Sequence, residues 1–250
     1  MAWFTRNVPA PIVGVVRFIL RAVTGEPQVG SLTFGTLRRT KPLTRDFGVG
    51  RGGAVDRYYI EAFLERFSSD IRGRVLEIGD DGYTKRFGSS RVERRDILHM
   101  SDRNRRATII ADLQDAPHIP DETFDCIILT QTLQYIFRPE EAVATLHRIL
   151  RPGGVLLLTV PGITPVSTRC EWGPNCFWSF TRQSVSRLLE DRFGAPAVTC
   201  LSRGNVLTAT ALLYGMATVE LTADELETDD PDYPVIVAAR AVRQAEATAG

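Results

Sequence analysis

Five short apolar runs, most of them closed by polar residues or glycine, constrain this 250-residue chain more than any other feature. They are RVLEIGDDG at 74–82, DILHMSD at 96–102, ATIIADL at 107–113, FDCIILTQTLQY at 124–135 and LRPGGVLLLTVP at 150–161. Buried parallel strands read this way when ligand groups gather at their carboxyl ends. Between the runs the periodicity turns helical. Tyr58, Tyr59, Ala62, Phe63 and Phe67 recur near helical spacing from Ala54 onward, with Asp56 as a cap. Pro139 opens an amphipathic helix to Leu150, with acids at its amino end and Arg148 and Arg151 at its carboxyl end. Further helices are expected at 83–87, at RQSVSRLLEDRF between Thr181 and Gly194, and around 207–219. AVTCLS and VIVAARAV complete the strands, and the alternation predicts an α/β fold around a largely parallel sheet.

Gly- and Pro-rich residues 24–54 read as a linker or lid, so residues 1–53 are expected to form an extension before a domain at 54–242 and a tail at 243–250. The start, VPAPIVGVVRFILRAV, is apolar but broken by Arg17 and Arg21, and its uninterrupted part is too short to span a bilayer. Two readings stay open for residues 9–23: a helix packing on its own domain, or a peripheral contact with a membrane or protein. A formal net charge of +0 supplies no global field to recruit nucleic acid. The arginine cluster at 91, 94, 95, 103, 105 and 106 is diluted by Glu93, Asp96 and Asp102, which again argues against nucleic acid. Cys126, Cys170, Cys176 and Cys200 show no paired spacing; no metal is expected, and reduced thiols fit a cytoplasmic protein.

The strand ends carry the candidate chemistry. Glu77 interrupts a buried strand, where a carboxylate is costly unless paired; it is either a ligand group or a satisfied residue orienting the next loop. Gly79 permits a sharp turn and close approach of a ligand. Asp80 and Asp81 then stand where a dinucleotide site needs bare amides for pyrophosphate. Carboxylates there repel phosphate but welcome an ammonium or sulfonium, so electrostatics favour S-adenosylmethionine over NAD. Asp102 closes the second run and suits ribose hydroxyls. Asp96, at its start, is less well placed. Asp112 and the Leu113 amide suit an adenine edge. For both Asp102 and Asp112, loop solvation or helix capping is the alternative.

With these residues assembled, the chain resembles the small-molecule class I S-adenosylmethionine-dependent methyltransferases. LEIGDDG matches the family's first motif, ADL with PHIPDETFD the adenine-side motif, and IILTQTLQY the fourth strand and turn that bring Thr130 to the site. HRILRPGGVLLLTVP is the most specific match, and together these motifs cover about residues 54–242. The resemblance implies a Rossmann-like, doubly wound sheet of seven strands, mostly parallel with an antiparallel last strand. It also implies S-adenosyl-L-methionine as methyl donor, with Glu77, Gly79, Asp81, Asp102, Asp112, Leu113 and Thr130 around it. WGPNCFWSFT resembles a segment of relatives found beside glycosyltransferases, which implies a sugar or other small-molecule acceptor methylated at oxygen. Asp81 stands where a second glycine is usual and Tyr83 where a third would be. Those departures keep a non-catalytic scaffold as an alternative, with an NAD-dependent oxidoreductase third.

His118, in the loop after the adenine-side acid, is the candidate general base. His99 and His147 read as structural. Gln131, Tyr135 and Glu171 are placed to meet an acceptor, and Trp172, Phe177, Trp178 and Phe180 to wall it, unless they simply fill the core under a loop. Arg57 is either a clamp for a carboxylate or a solvated arginine.

Overall fold

The strand runs sort themselves by alternation onto two covered faces of one sheet. In β4 (Phe124–Thr130), Ile127 and Leu129 face one apolar cluster while Cys126 and Ile128 face the other. In β5 (Leu150–Pro161), Leu156, Leu158 and Val160 oppose Val155 and Leu157 in the same way. A run apolar at nearly every position therefore has both faces to fill, and VLLLTV accordingly lies inside the sheet between β4 and β7 (Ile236–Val242). Leu157 is fully buried, and Leu157→Ala is expected to cost about 3 kcal/mol, read as a lower urea midpoint with an unchanged slope.

The computed structural model describes residues 27–166 and 173–245, together with Val16 and Gly25. Besides β4 and β5, its strands are β1 (Gly73–Ile78), β2 (Val92–His99), β3 (Ile109–Ile110), β6 (Val198–Arg203) and β7 (Ile236–Val242). Their order is β3-β2-β1-β4-β5-β7-β6, with β7 antiparallel to both neighbours and the β1–β5 pairings parallel. This is the seven-stranded, doubly wound sheet with an antiparallel last strand that the resemblance implied. The chain winds outward from β1 to β3, then returns to lay β4 on the other side of β1. The order in which the chain adds strands thus reverses between the parallel β1 and β4, where a crevice opens at the carboxyl ends.

Helices cover the faces. α1 (Val55–Arg66) buries Tyr59, Ile60, Phe63 and Leu64 with α4 (Val206–Tyr214) on one side. α2 (Pro139–Ile149) and α3 (Arg182–Phe193) cover the other, α2 through Ala142, Val143, Leu146 and Ile149 at helical spacing. Thr181 and Ser184 form a reciprocal capping box at the start of α3, the helix expected after Thr181, and Asn205 with Thr208 does the same for α4. A short α5 (Ala223–Glu227) occupies part of the acidic stretch before β7.

Several expectations change. The helix expected at 83–87 is present, and it takes the form of a five-residue π-helical turn, Thr84–Gly88. β2 starts at Val92 and stops at His99, so Asp96 lies inside the strand and Asp102 beyond it. Contacts divide the chain into two compact units, Met1–Lys41 and Pro42–Gly250. Residues 42–54, read as linker, pack within the second: the Leu43 amide donates to the Tyr214 carbonyl (2.7 Å), and Ala54 bridges Ala217. In the first unit a 3-10 turn spans Gly35–Leu37. Residues 9–23, apart from Val16, lie outside the described residues, as do Cys170, Glu171 and Trp172. Among the described residues no helix is long and apolar enough to cross a membrane, and no cluster of metal-ligating side chains occurs.

Candidate active site

The crevice at the switch point encloses about 470 Å³, within the usual range for a small-ligand site. Its floor is built by strand ends. Glu77, the penultimate residue of β1, is 3% exposed. Its Oε1 accepts from the Tyr83 amide (3.1 Å) and its Oε2 from the Thr84 amide (2.7 Å), so the carboxylate organises the π-helical turn while lining the crevice. Burial pushes its carboxyl up to about 7, with the two amides pulling the other way. Glu77 thus organises the following loop and also lines the crevice.

Gly79 follows with φ +88°, a left-handed backbone that nothing but glycine adopts freely, and no atom lies within 4 Å of where a Cβ would sit. Its carbonyl accepts from Asn104 Nδ2 (2.6 Å), which fixes the turn. Asp80 lines the crevice and accepts from the Gly82 amide (2.7 Å). Asp81 does not line it. Buried beneath the turn, it pairs with Arg106, with Lys85 (2.9 Å) and with Arg95 (3.5 Å). Burial alone would raise its carboxyl, but Lys85 and Arg106 hold it below the ordinary value. The acid in place of the second glycine thus neutralises the basic cluster instead of facing a ligand.

Asp102 is exposed and outside the crevice, because β2 has already ended. At the end of β2, Leu98, His99 and Met100 line the site. His99 Nδ1 lies 2.9 Å from the Ser101 carbonyl and 3.2 Å from its amide. His99, which the sequence marks as structural, bonds within its own turn and also lines the crevice. Asp112, Leu113 and Gln114 line the next wall, with both Asp112 oxygens held by Gln114 Nε2 (3.2 and 3.1 Å). Thr130 and Gln131 end β4 at the crevice. Gln131 has φ +46°, rare for a residue with a side chain, and its backbone is tied to the Thr159 carbonyl (2.8 Å) and to Gln134 Nε2 (2.9 Å).

The mouth is partly aromatic. Phe177 lines it, and Phe137 meets Phe177 edge-on (5.2 Å) and stacks with Trp178 (6.2 Å). Trp178 Nε1 donates to the Ile136 carbonyl (3.0 Å), whereas Phe180 belongs to the core. Arg57 lines the opposite side, its guanidinium donating to the Tyr83 hydroxyl (2.6 Å). His118 does not enter. It is exposed, with Nε2 3.1 Å from the Ile110 carbonyl, so the loop holds the ring away from the crevice. His147 packs edge-on against Phe193 (4.8 Å), the structural role expected of it.

The carboxylates Glu77, Asp80 and Asp112 therefore share a crevice in which, among the described residues, Arg57 is the one arginine and no lysine takes part. That donor set fits a cationic nucleoside and disfavours a phosphorylated one.

Residues 46–158 match the family model for a methyltransferase domain. Over 56 residues the chain is 39% identical to the ubiquinone/menaquinone biosynthesis C-methyltransferase UbiE of Citrobacter koseri, covering 21% of this chain and 22% of that protein. It spans about a fifth of the length of the curated relatives it matches. Among solved structures, a SAM-dependent methyltransferase from Archaeoglobus fulgidus superposes with a TM-score of 0.49 at 14% identity, over 74% of this chain and 94% of the other. The N-methyltransferase NodS of Bradyrhizobium japonicum WM9, in complex with S-adenosyl-L-homocysteine, gives 0.47 at 17% identity, over 78% and 90%.

Proposed function

We propose that this chain, whose residues 46–158 match the methyltransferase-domain model, is a class I S-adenosylmethionine-dependent methyltransferase that moves the donor's methyl group to a small-molecule or glycan-precursor oxygen. The observation that carries the reading is the crevice itself: carboxylates from β1, its following turn and the segment after β3 converge where phosphate would otherwise sit. Bound there, the donor supplies a methyl group already activated on a sulfonium. Glu77 and Asp80 receive its positive end, and Arg57 offers a guanidinium to its carboxylate. Asp112 accepts from the adenine amino group, with Leu113 beside the ring. Gly79 lets the backbone approach without a side chain between. Positioning and exclusion of water are then the protein's main tasks.

Calorimetry on the full chain tests this. S-Adenosylmethionine and S-adenosylhomocysteine are expected to bind with micromolar constants and NAD not at all at 1 mM, roughly the scale of ordinary enzyme sites. Equal binding of NAD would return the oxidoreductase, and no binding of any of the three would leave a scaffold. Gly79→Val is expected to weaken binding of S-adenosylhomocysteine at least ~10-fold, since φ +88° strains any L side chain and a Cβ would occupy ligand space. Unchanged affinity in that variant would remove the turn from the site.

A further inference from the structure

Beside the crevice lies a second cavity of about 250 Å³, roughly half as large, and Arg57, Gln131 and Tyr135 line both. The two spaces share a wall. Much of the smaller one is apolar, including Phe47, Val49 and Pro165. Into that lining come Asp56 and Gln134. Sequence assigned Asp56 to cap α1, yet Ala54 is the N-cap and makes no side-chain cap bond. Asp56 Oδ1 is instead buried without a hydrogen-bond partner, and so are Gln131 Nε2 and Gln134 Oε1. Buried polar atoms are nearly always paired, and these three, on residues that line one cavity, are not.

Each atom states what would satisfy it. Asp56 and Gln134 present acceptors and need a donor; Gln131 presents an amide donor and needs an acceptor. An ammonium would meet Asp56 and leave Gln131 unmet. A carboxylate or phosphate would meet Gln131 and be repelled by Asp56. Hydroxyl groups donate and accept at once, and the volume suits a molecule of hexose size. The geometry points to this cavity as the methyl-acceptor site for a neutral, hexose-sized polyol, with Asp56 taking the proton of the hydroxyl that is methylated. This rests on the reading of the larger crevice as the donor site.

The step balances. The acceptor oxygen bonds to the methyl carbon as the carbon–sulfur bond breaks, and the bonding pair returns to sulfur, cancelling the sulfonium charge. The hydroxyl proton passes to the Asp56 carboxylate, so one cation and one anion become neutral. Burial raises the Asp56 carboxyl above the ordinary value, with the Arg57 guanidinium opposing in part, which makes it a stronger base than an exposed aspartate.

The test uses the full chain saturated with S-adenosylhomocysteine and three polyol probes: methyl α-D-mannopyranoside, L-rhamnose and myo-inositol. Cyclohexylmethylamine and benzoate serve as cationic and anionic comparisons. Calorimetry and saturation-transfer NMR are expected to show binding of at least one polyol, weakened about 10-fold or more by Asp56→Asn and by Gln131→Ala. Asp56→Asn keeps the side chain's shape, so S-adenosylhomocysteine affinity should stay within about two-fold. With labelled donor, the bound polyol should yield a methyl ether, and Asp56→Asn should slow its formation about 100-fold or more. The proposal is overturned if S-adenosylhomocysteine binds while no polyol does. It is equally overturned if the amine binds in their place, or if binding and turnover survive Asp56→Asn. Failure of S-adenosylhomocysteine to bind would instead bring down the donor-site reading first.

Discussion

Asp96→Ala is expected to cost the fold about 3–5 kcal/mol, while Asp112→Ala leaves stability nearly unchanged and weakens donor binding about 10-fold. Both acids belong to the strand runs, but their surroundings differ. Asp96 is 2% exposed and accepts from Arg74 Nε (2.7 Å) and Thr108 Oγ1 (3.1 Å), with Arg94 also in range. Burial alone would raise its carboxyl; Arg74 and Thr108 more than offset this and hold it below the ordinary value. Its contribution is therefore present above the unfolded aspartate value and lost as pH falls through the folded one. Removing the side chain strands the partly buried Arg74 guanidinium, which is the costly way to break such a pair. Asp112 is exposed and tethered to Gln114 alone among side chains, so its loss should spare the fold. Urea unfolding at pH 7 and calorimetry with S-adenosylhomocysteine separate the two effects. Equal, small changes in both variants would remove the distinction between a structural and a site aspartate.

Glu77 should make the protein less stable as pH rises, opposite to the usual carboxylate. Its folded value is pushed up to about 7 from an ordinary 4.5. The sign follows from linkage: the native state holds the proton more tightly, so the full contribution exists below about pH 4.5 and disappears as pH climbs through 7. A shift of this size corresponds to on the order of 3 kcal/mol. Glu77→Gln carries no charge to bury, but its amide cannot accept from both the Tyr83 and Thr84 backbone groups. After about 1 kcal/mol for that loss, the variant should exceed wild type by on the order of 2 kcal/mol at pH 8. Below pH 5 the gain should vanish. Wild-type stability that is flat between pH 5 and 8 would show that Glu77 is already ionised in the folded state. The same carboxylate should bind a cationic donor better at pH 8 than at pH 6, so Glu77→Gln is expected to gain stability and lose affinity together.

Much of the framework was legible in the residues. The run VLLLTV has no polar side and so demands two covered faces. Thr181 with Ser184 and Gly194 mark the ends of α3 through local chemistry, and Pro139 does so for the start of α2. Less legible was the extent of β2: Val92–Arg95 are largely exposed and polar, yet pairing with β1 extends the strand across them. Around the crevice, Glu77, Gly79, Asp112, Leu113 and Thr130 come together as their strand-end positions implied. Asp81, Asp102 and His118 do not.

What this sequence determined by itself is therefore the periodic part: which runs are strands, which faces of the helices are apolar, and where the chain can turn. These depend on neighbours within a few residues, which pattern records directly. Tertiary structure alone decided which of several adjacent polar groups faces the crevice. Asp80 faces the crevice and Asp81 turns under it because Arg106, 25 residues away, lies beneath. His99 replaces Asp102 because β2 stops when its partner β1 does. Asp56, which the sequence places as a cap, instead lines a cavity together with Gln131 and Gln134 from the turn after β4. A buried charge takes its role from the partner nearest in space, and that partner is set only once the sheet has brought distant segments together.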